Sequence, residues 1–170
     1  MPTHGHRALG WIQRSFVSGA KFANGDTLLA RITPCLENGK TAFVDFLKEG
    51  EIGWGSTEFI VLRPRKPFPP EYGYCLARDE EFRDFAIQNM TGSSGRQRVP
   101  TDCFAQYPSV VPSDAIARRF GEIVRPVFAK AKANSEEAVT LAAVRDALLP
   151  KLVSGELRIG GAVKSVEASK

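Results

Sequence analysis

The chain is poor in the residues from which metal, redox and membrane chemistry are usually built. Its 170 residues hold three cysteines and two histidines. Cys35, Cys75 and Cys103 are odd in number, widely spaced and in no CxxC pair, a pattern that gives neither a disulfide framework nor a zinc site. Three reduced thiols are expected, which favours the cytosol. His4 and His6 lie in a polar N-terminal stretch without further ligands, so no metal is expected. Charge interrupts every apolar run well before the ~18 residues of a membrane span, and no signal peptide is visible, so a soluble protein is expected. A GxxxxGK[ST] phosphate loop is missing, as are a paired carboxylate set and a base placed beside a serine.

Bulk charge is lacking too. The net charge is +4 with a pI near 9.1, and residues 1–112 hold thirteen Lys/Arg against twelve Asp/Glu. Any anion binding must therefore come from local placement rather than an overall field. With 43% hydrophobic and 25% charged residues, the chain has the composition of one globular domain with room for an appendage.

Glycine and proline are present but unevenly spread. Up to about Val111 the chain reads as short strands broken by glycine, whereas Ser113 to Leu149 contains only Gly121 and Pro126. The turn Asn24-Gly25-Asp26 opens a strand over Thr27 to Ile32, ended by Thr33-Pro34. A loop from Pro34 to Gly39 leads to a second strand, Thr41 to Leu47, placed to pair with the first. Glu58 to Arg63 gives a third strand stopped by Pro64. Four prolines in the eight residues Arg63 to Pro70 make an extended connector. From Glu71 to Met90 the apolar spacing becomes helical; Tyr72, Cys75, Leu76, Phe82, Phe85, Ala86 and Met90 read as core, with a second helix starting near Asp79. The loop Thr91-Gly92-Ser93-Ser94-Gly95-Arg96-Gln97-Arg98 then gathers hydroxyls, an amide and two guanidinium groups. Two readings stand for it: an anion- or base-contacting loop, and a flexible connection with a solvated basic edge.

After Pro112, Ser113 or Asp114 supplies a helix cap. Ile116, Phe120, Ile123 and Val127 form one apolar stripe; Leu141, Val144 and Leu148 form another, with Lys130, Asn134 and Glu137 between them along the same seam. Continuous from Asp114 to Leu149, this arm would be about 54 Å long at 1.5 Å per residue. Pro126 is expected to kink it, and a bent single helix is favoured over a hairpin broken at Asn134-Ser135. The predicted fold class is α+β: a small, twisted, mostly antiparallel sheet with short helices, followed by one long C-terminal helix.

Taken in order, Gly25 to Arg31, Gly39-Lys40-Thr41-Ala42, Ser56 to Leu62 and Thr91 to Pro100 resemble the specificity subunit of type I restriction-modification systems. The ending, a Pro112-led helix closing in Leu141 to Leu157 with the phrase Leu152-Val153-Ser154-Gly155-Glu156-Leu157, is similar to that family's spacer. The resemblance covers roughly residues 20–159. It implies a target recognition domain over 1–112, a helical spacer and dimerisation arm over 113–153 and a tail over 154–170. It further implies a non-catalytic, cytoplasmic bacterial or archaeal protein that chooses the DNA sequence. Separate modification subunits would bind S-adenosylmethionine and methylate, and a restriction subunit would cut; the chain itself would need no cofactor. Such subunits normally carry two recognition domains and two spacers. One of each is expected here, a half-length form with little sheet sequence in Met1 to Gly19.

Under that resemblance, Arg96, Gln97 and Arg98 are the leading candidates for double-stranded DNA, because arginine forks onto guanine and glutamine onto adenine. Ser93 and Ser94 share their loop. Glu37, Asn38 and Lys40 come next, then Arg31 and Ser56. Phe120, Ile123, Val127, Leu141, Val144 and Leu148 are expected at a homodimer or subunit interface. Two other functions remain open from the residues: an interaction module that binds the modification subunit without reading DNA, and a small enzyme using the Ser/Gly/Arg loop as an anion cradle.

Overall fold

A computed structural model describes residues 12–158, with the backbone of Thr3–His4 and Arg7–Ala8. His6 and residues 159–170 of the expected tail lie outside the described residues. The chain divides into two units, Met1–Lys132 and Ala133–Lys170.

The first unit is built on a five-stranded sheet in the order β1 (Thr3–His4), β2 (Arg7–Ala8), β5 (Thr41–Phe43), β4 (Thr27–Ala30), β7 (Phe59–Leu62). Neighbours run antiparallel except β2 and β5, which are parallel. The expected hairpin pairing is present: Leu28 faces Ala42 on one side and Val61 on the other. The strands are shorter than the apolar runs that announce them, and the first residues do contribute to the sheet, through β1 and β2. A second sheet pairs β3 (Lys21–Phe22) with β6 (Gly53–Trp54). Gly53 is required there, because a Cβ would come within 2.1 Å of the Phe22 ring.

Strand alternation divides the core between two faces. Leu29 and Ile60 pack with Leu36, Phe82, Ala86 and Val99 beneath α1 (Pro70–Arg78) and α2 (Glu80–Gln88). Leu28 and Val44 pack with Phe22, Phe59 and Val61 on the opposite side. Asp79 joins the two helices and starts the second, its Oδ1 accepting the Phe82 N–H at 3.0 Å. The aromatics read as core behave as such: Phe82 stacks on Phe104, and Tyr107 meets both Phe82 and Phe85 edge-on.

The turn before β4 is held by its own side chains. Asn24 bonds both backbone groups of Leu47. Asp26, 1% exposed, accepts the Ala23 N–H at 2.7 Å and takes both forks of Arg63, at 2.7 and 2.6 Å. The start of β4 is thereby bolted to the end of β7.

α3 (Asp114–Val153) is a single helix of 40 residues. It starts where Ser113 Oγ accepts the Ile116 N–H at 3.4 Å, and it continues through Pro126 and Asn134-Ser135, so the hairpin alternative is not realised. Within the first unit, Ala117 and Gly121 are buried, Phe120 meets Tyr72, Phe128 meets Phe43 and Tyr74, and Lys132 Nζ donates to Asp45 O at 2.7 Å. In the second unit the helix carries exposed Leu141, Val144 and Leu148. It ends at Gly155, whose φ of 74° suits glycine; the Gly155 N–H reaches Leu152 O and the Leu157 N–H reaches Lys151 O.

Truncating Arg63 leaves the Asp26 carboxylate buried without its main partner. Arg63→Ala is expected to cost about 2–3 kcal/mol of stability, read from the urea midpoint at constant slope. An unchanged midpoint would show that the pair does not hold the two strand ends.

Candidate nucleic-acid interface

Beyond β4 the backbone stays in register with two other segments. The Arg31 N–H donates to Glu58 O at 3.1 Å, and Arg31 O accepts the Val99 N–H at 2.9 Å. The Thr33 N–H donates to Gln97 O at 3.1 Å, and Ile32 bridges Arg98 in antiparallel sense. The chain from Gln97 to Val99 is thus an extended segment bridged to residues 31–33. Val99, 0% exposed, pins it to the core.

Residues 34–40 form a tight helical turn rather than an open hairpin loop. The Leu36 N–H bonds Ile32 O, the Asn38 N–H bonds Pro34 O, and the Lys40 N–H returns to Cys35 O. Leu36 is fully buried, and Arg78 Nη1 donates to Gly39 O at 2.7 Å. Gly39 takes a φ of 63°, and a Cβ there would crowd Arg78 at 3.0 Å. That leaves Glu37 and Asn38 exposed at the tip and Lys40 half-buried at the exit.

The Ser/Gly/Arg loop is closed at its base, where Thr91 and Arg98 exchange backbone bonds of 2.9 and 2.8 Å. Gly92 and Gly95 occupy left-handed conformations, with φ of 115° and 79°. Ser93, Ser94 and Arg96 are exposed on the turn, while Gln97 and Arg98 are half-buried at its root.

Arg98 is not a free guanidinium. Its Nε and Nη2 fork onto Glu58 at 2.8 and 2.7 Å, tying the loop to the segment that enters β7. Glu58 was not a sequence candidate. It stands 40 residues from Arg98, and no spacing rule links them. The only sign was its place in the phrase Ser56-Thr57-Glu58. The Arg98 guanidinium bonded to Glu58 holds the carboxyl below the ordinary carboxylate range, and the charge of Arg31 adds to this; partial desolvation opposes it.

Lys40 and Ser56 line one small cleft with Glu58, on the sheet face where Leu28 and Phe59 lie. Ser56 Oγ accepts the Glu58 N–H at 3.0 Å. The structure therefore brings Arg98 onto the Glu58 carboxylate with the Arg31 charge close enough to act on it, sets Lys40 and Ser56 in one cleft with Glu58, holds Gln97 by its backbone beside Thr33, and leaves Glu37, Asn38, Ser93, Ser94 and Arg96 on the two loop tips. Of the interface candidates, Phe120 is half-buried against Tyr72 in the first unit's own packing, while Ile123, Val127, Leu141, Val144 and Leu148 are exposed. Among the described residues no cluster of three or more His, Cys, Asp or Glu side chains could hold a metal ion. Nor is any described helix long and apolar enough to cross a membrane.

No protein-family model matches the chain. A 92-residue stretch, 54% of the chain, is 39% identical to the type I restriction enzyme EcoEI specificity subunit of Escherichia coli and 41% identical to the EcoAI specificity subunit of the same species. The chain is similar in sequence to type I specificity subunits. A third relative, the MjaIX specificity subunit of Methanocaldococcus jannaschii, is 44% identical over 50 residues. The matched stretch spans 15% of the length of each of the two Escherichia coli relatives and 12% of the archaeal one, so the similarity concerns a part of those subunits.

Because the Glu58 carboxyl titrates below its unfolded value, the stabilisation from its pair with Arg98 is complete above the ordinary carboxylate range. It is lost as pH falls through the lower, folded value. Hydrogen-exchange protection of the Thr91 and Arg98 amides should therefore drop in acid. The non-titrating Glu58→Gln variant should lack that step; if it keeps the step, another group controls the loop.

Proposed function

We propose that residues 1–112 form a target recognition domain for double-stranded DNA, as a non-catalytic specificity unit of a type I restriction-modification system in the cytoplasm of a bacterium or archaeon. The observation that carries this is the similarity to type I specificity subunits over half the chain. The loop cluster around Glu58 supports it. The exposed tip offers Arg96, Ser93 and Ser94 to phosphates, while the half-buried root offers Gln97 to base edges, with Arg98 held by Glu58 to fix its position. The Glu37-Asn38 tip and Lys40 provide acceptor, amide and cation for the neighbouring stretch of duplex. Modification subunits carrying S-adenosylmethionine and a restriction subunit would supply methylation and cleavage, directed to the site this unit reads.

Residues 113–153 are proposed as the spacer through which two copies, related by a two-fold axis, pair along a coiled-coil-like seam. Exposed Leu141, Val144 and Leu148 recur at helical spacing and favour this. Two readers so paired would bind a split, palindromic target.

Arg96, exposed and, among the described residues, without the carboxylate partner that Arg98 has, is the cleaner probe of phosphate contact. Arg96→Ala should weaken DNA binding uniformly across sequences and lower the slope of log K against log salt by about 0.9. An unchanged slope removes Arg96 from the footprint. In sedimentation at high concentration the chain should run as a dimer that Leu141→Asp with Leu148→Asp dissociates; a strictly monomeric wild type excludes the pairing.

A further inference from the structure

The cleft beside Glu58 has a chemistry of its own. Its volume is about 100 Å³. The walls are apolar, formed by Leu28, Ala30, Ile32, Ala42 and Phe59 from the three central strands and the segment leaving β4. Its polar groups are few: Lys40, Ser56, Glu58 and the Cys35 thiol, since Thr41 pairs with Leu29 and turns its side chain to the opposite face.

Size and polarity narrow what enters. An apolar cavity of roughly 150 Å³ holds a benzene ring, so a 100 Å³ cleft admits a methyl group with part of one ring and not a bicyclic purine. The rim is set to donate. Both Glu58 oxygens are bonded to Arg98, whereas the Lys40 ammonium is a donor, and Ser56, whose oxygen already accepts the Glu58 N–H, has its proton to give. In the major groove, thymine alone presents a methyl group next to an acceptor, O4; cytosine presents an amino donor and no methyl.

We infer that this cleft is a base-reading pocket that takes the methyl edge of one thymine in the target duplex. The C5-methyl lies against Ala30, Ala42 and Phe59, and O4 faces the donors at the rim. Ala30 and Ala42 are small where a larger side chain would fill the space. The turn 34–40 and the segment 56–58, which bound the pocket, are two of the proposed DNA-contacting elements, so the inference rests on the DNA-reading function and sharpens it to one base.

The test starts from duplexes selected by the protein out of a randomised pool. In a selected duplex each thymine is replaced in turn by deoxyuridine, which keeps O4 and the Watson–Crick edge and loses only the methyl. One position should lose about tenfold in affinity, the usual worth of one methyl in an apolar pocket. Ala30→Leu, checked for an unchanged melting temperature, should bind the thymine and uracil forms of that position alike. Ala30→Val serves in its place if the leucine variant does not fold. Affinity that is indifferent to every thymine-to-uracil change overturns the pocket while leaving DNA reading intact. A tenfold loss that the filled variants retain also overturns it, since the methyl is then read elsewhere. Failure to select any duplex overturns both, and is told apart by the absence of sequence-dependent binding in the first step.

Discussion

The fork of Arg98 onto Glu58 is the contact on which the loop cluster depends. Arg98 is bonded through its backbone to Thr91 and bridged to Ile32, so its side chain is delivered to one place. There it meets a carboxylate fixed by the start of β7, whose backbone carbonyl also accepts from Arg31. One ion pair thus joins three segments distant in sequence. It decides which cations face outward: the guanidinium at the root of the loop is committed to Glu58, and Arg96 at the tip is exposed. Both partners keep substantial solvent exposure, so the pair orients more than it stabilises.

The sheet beneath makes that placement reproducible. Asp26 and Arg63 fix the far ends of β4 and β7, so the segments that continue from β4 into Arg31 and from Glu58 into β7 emerge in a set register. Leu36 and Val99, both fully buried, anchor the 34–40 turn and the 97–99 segment to the same core. Glu71, Arg125, Phe128 and Lys132 bind the first half of α3 to α1, β5 and the following loop. Rigid roots and exposed tips are what a reader of base edges requires, because a hydrogen-bond code is useful only if its donors are held in place.

Much of this was legible in the residues. Glycine and proline bracket the strands, Asp79 announces the second helix, and Ser113 starts the third. The phrase Leu152 to Leu157 has a physical meaning as a helix stop, with Gly155 in the left-handed region and Leu157 reaching back to Lys151. Contacts between distant residues were not legible. Nothing in the spacing of Glu58 and Arg98, or of Asp26 and Arg63, pairs them, since strand register is settled by the whole sheet. Phe120 looked like part of an outward stripe because helical periodicity cannot tell a partner's surface from the chain's own Tyr72. Strands of two residues, such as those at Thr3–His4 and Lys21–Phe22, are too short to show a period at all.

Three separate segments are proposed to read DNA as one surface. Hydrogen exchange of the chain with and without its selected duplex tests this most directly, because it reports every backbone amide at once. Added protection is expected to be confined to 31–40, 56–58 and 91–98, with little change in α1 and α2. Protection absent from all three segments, or concentrated on the helices, would contradict it.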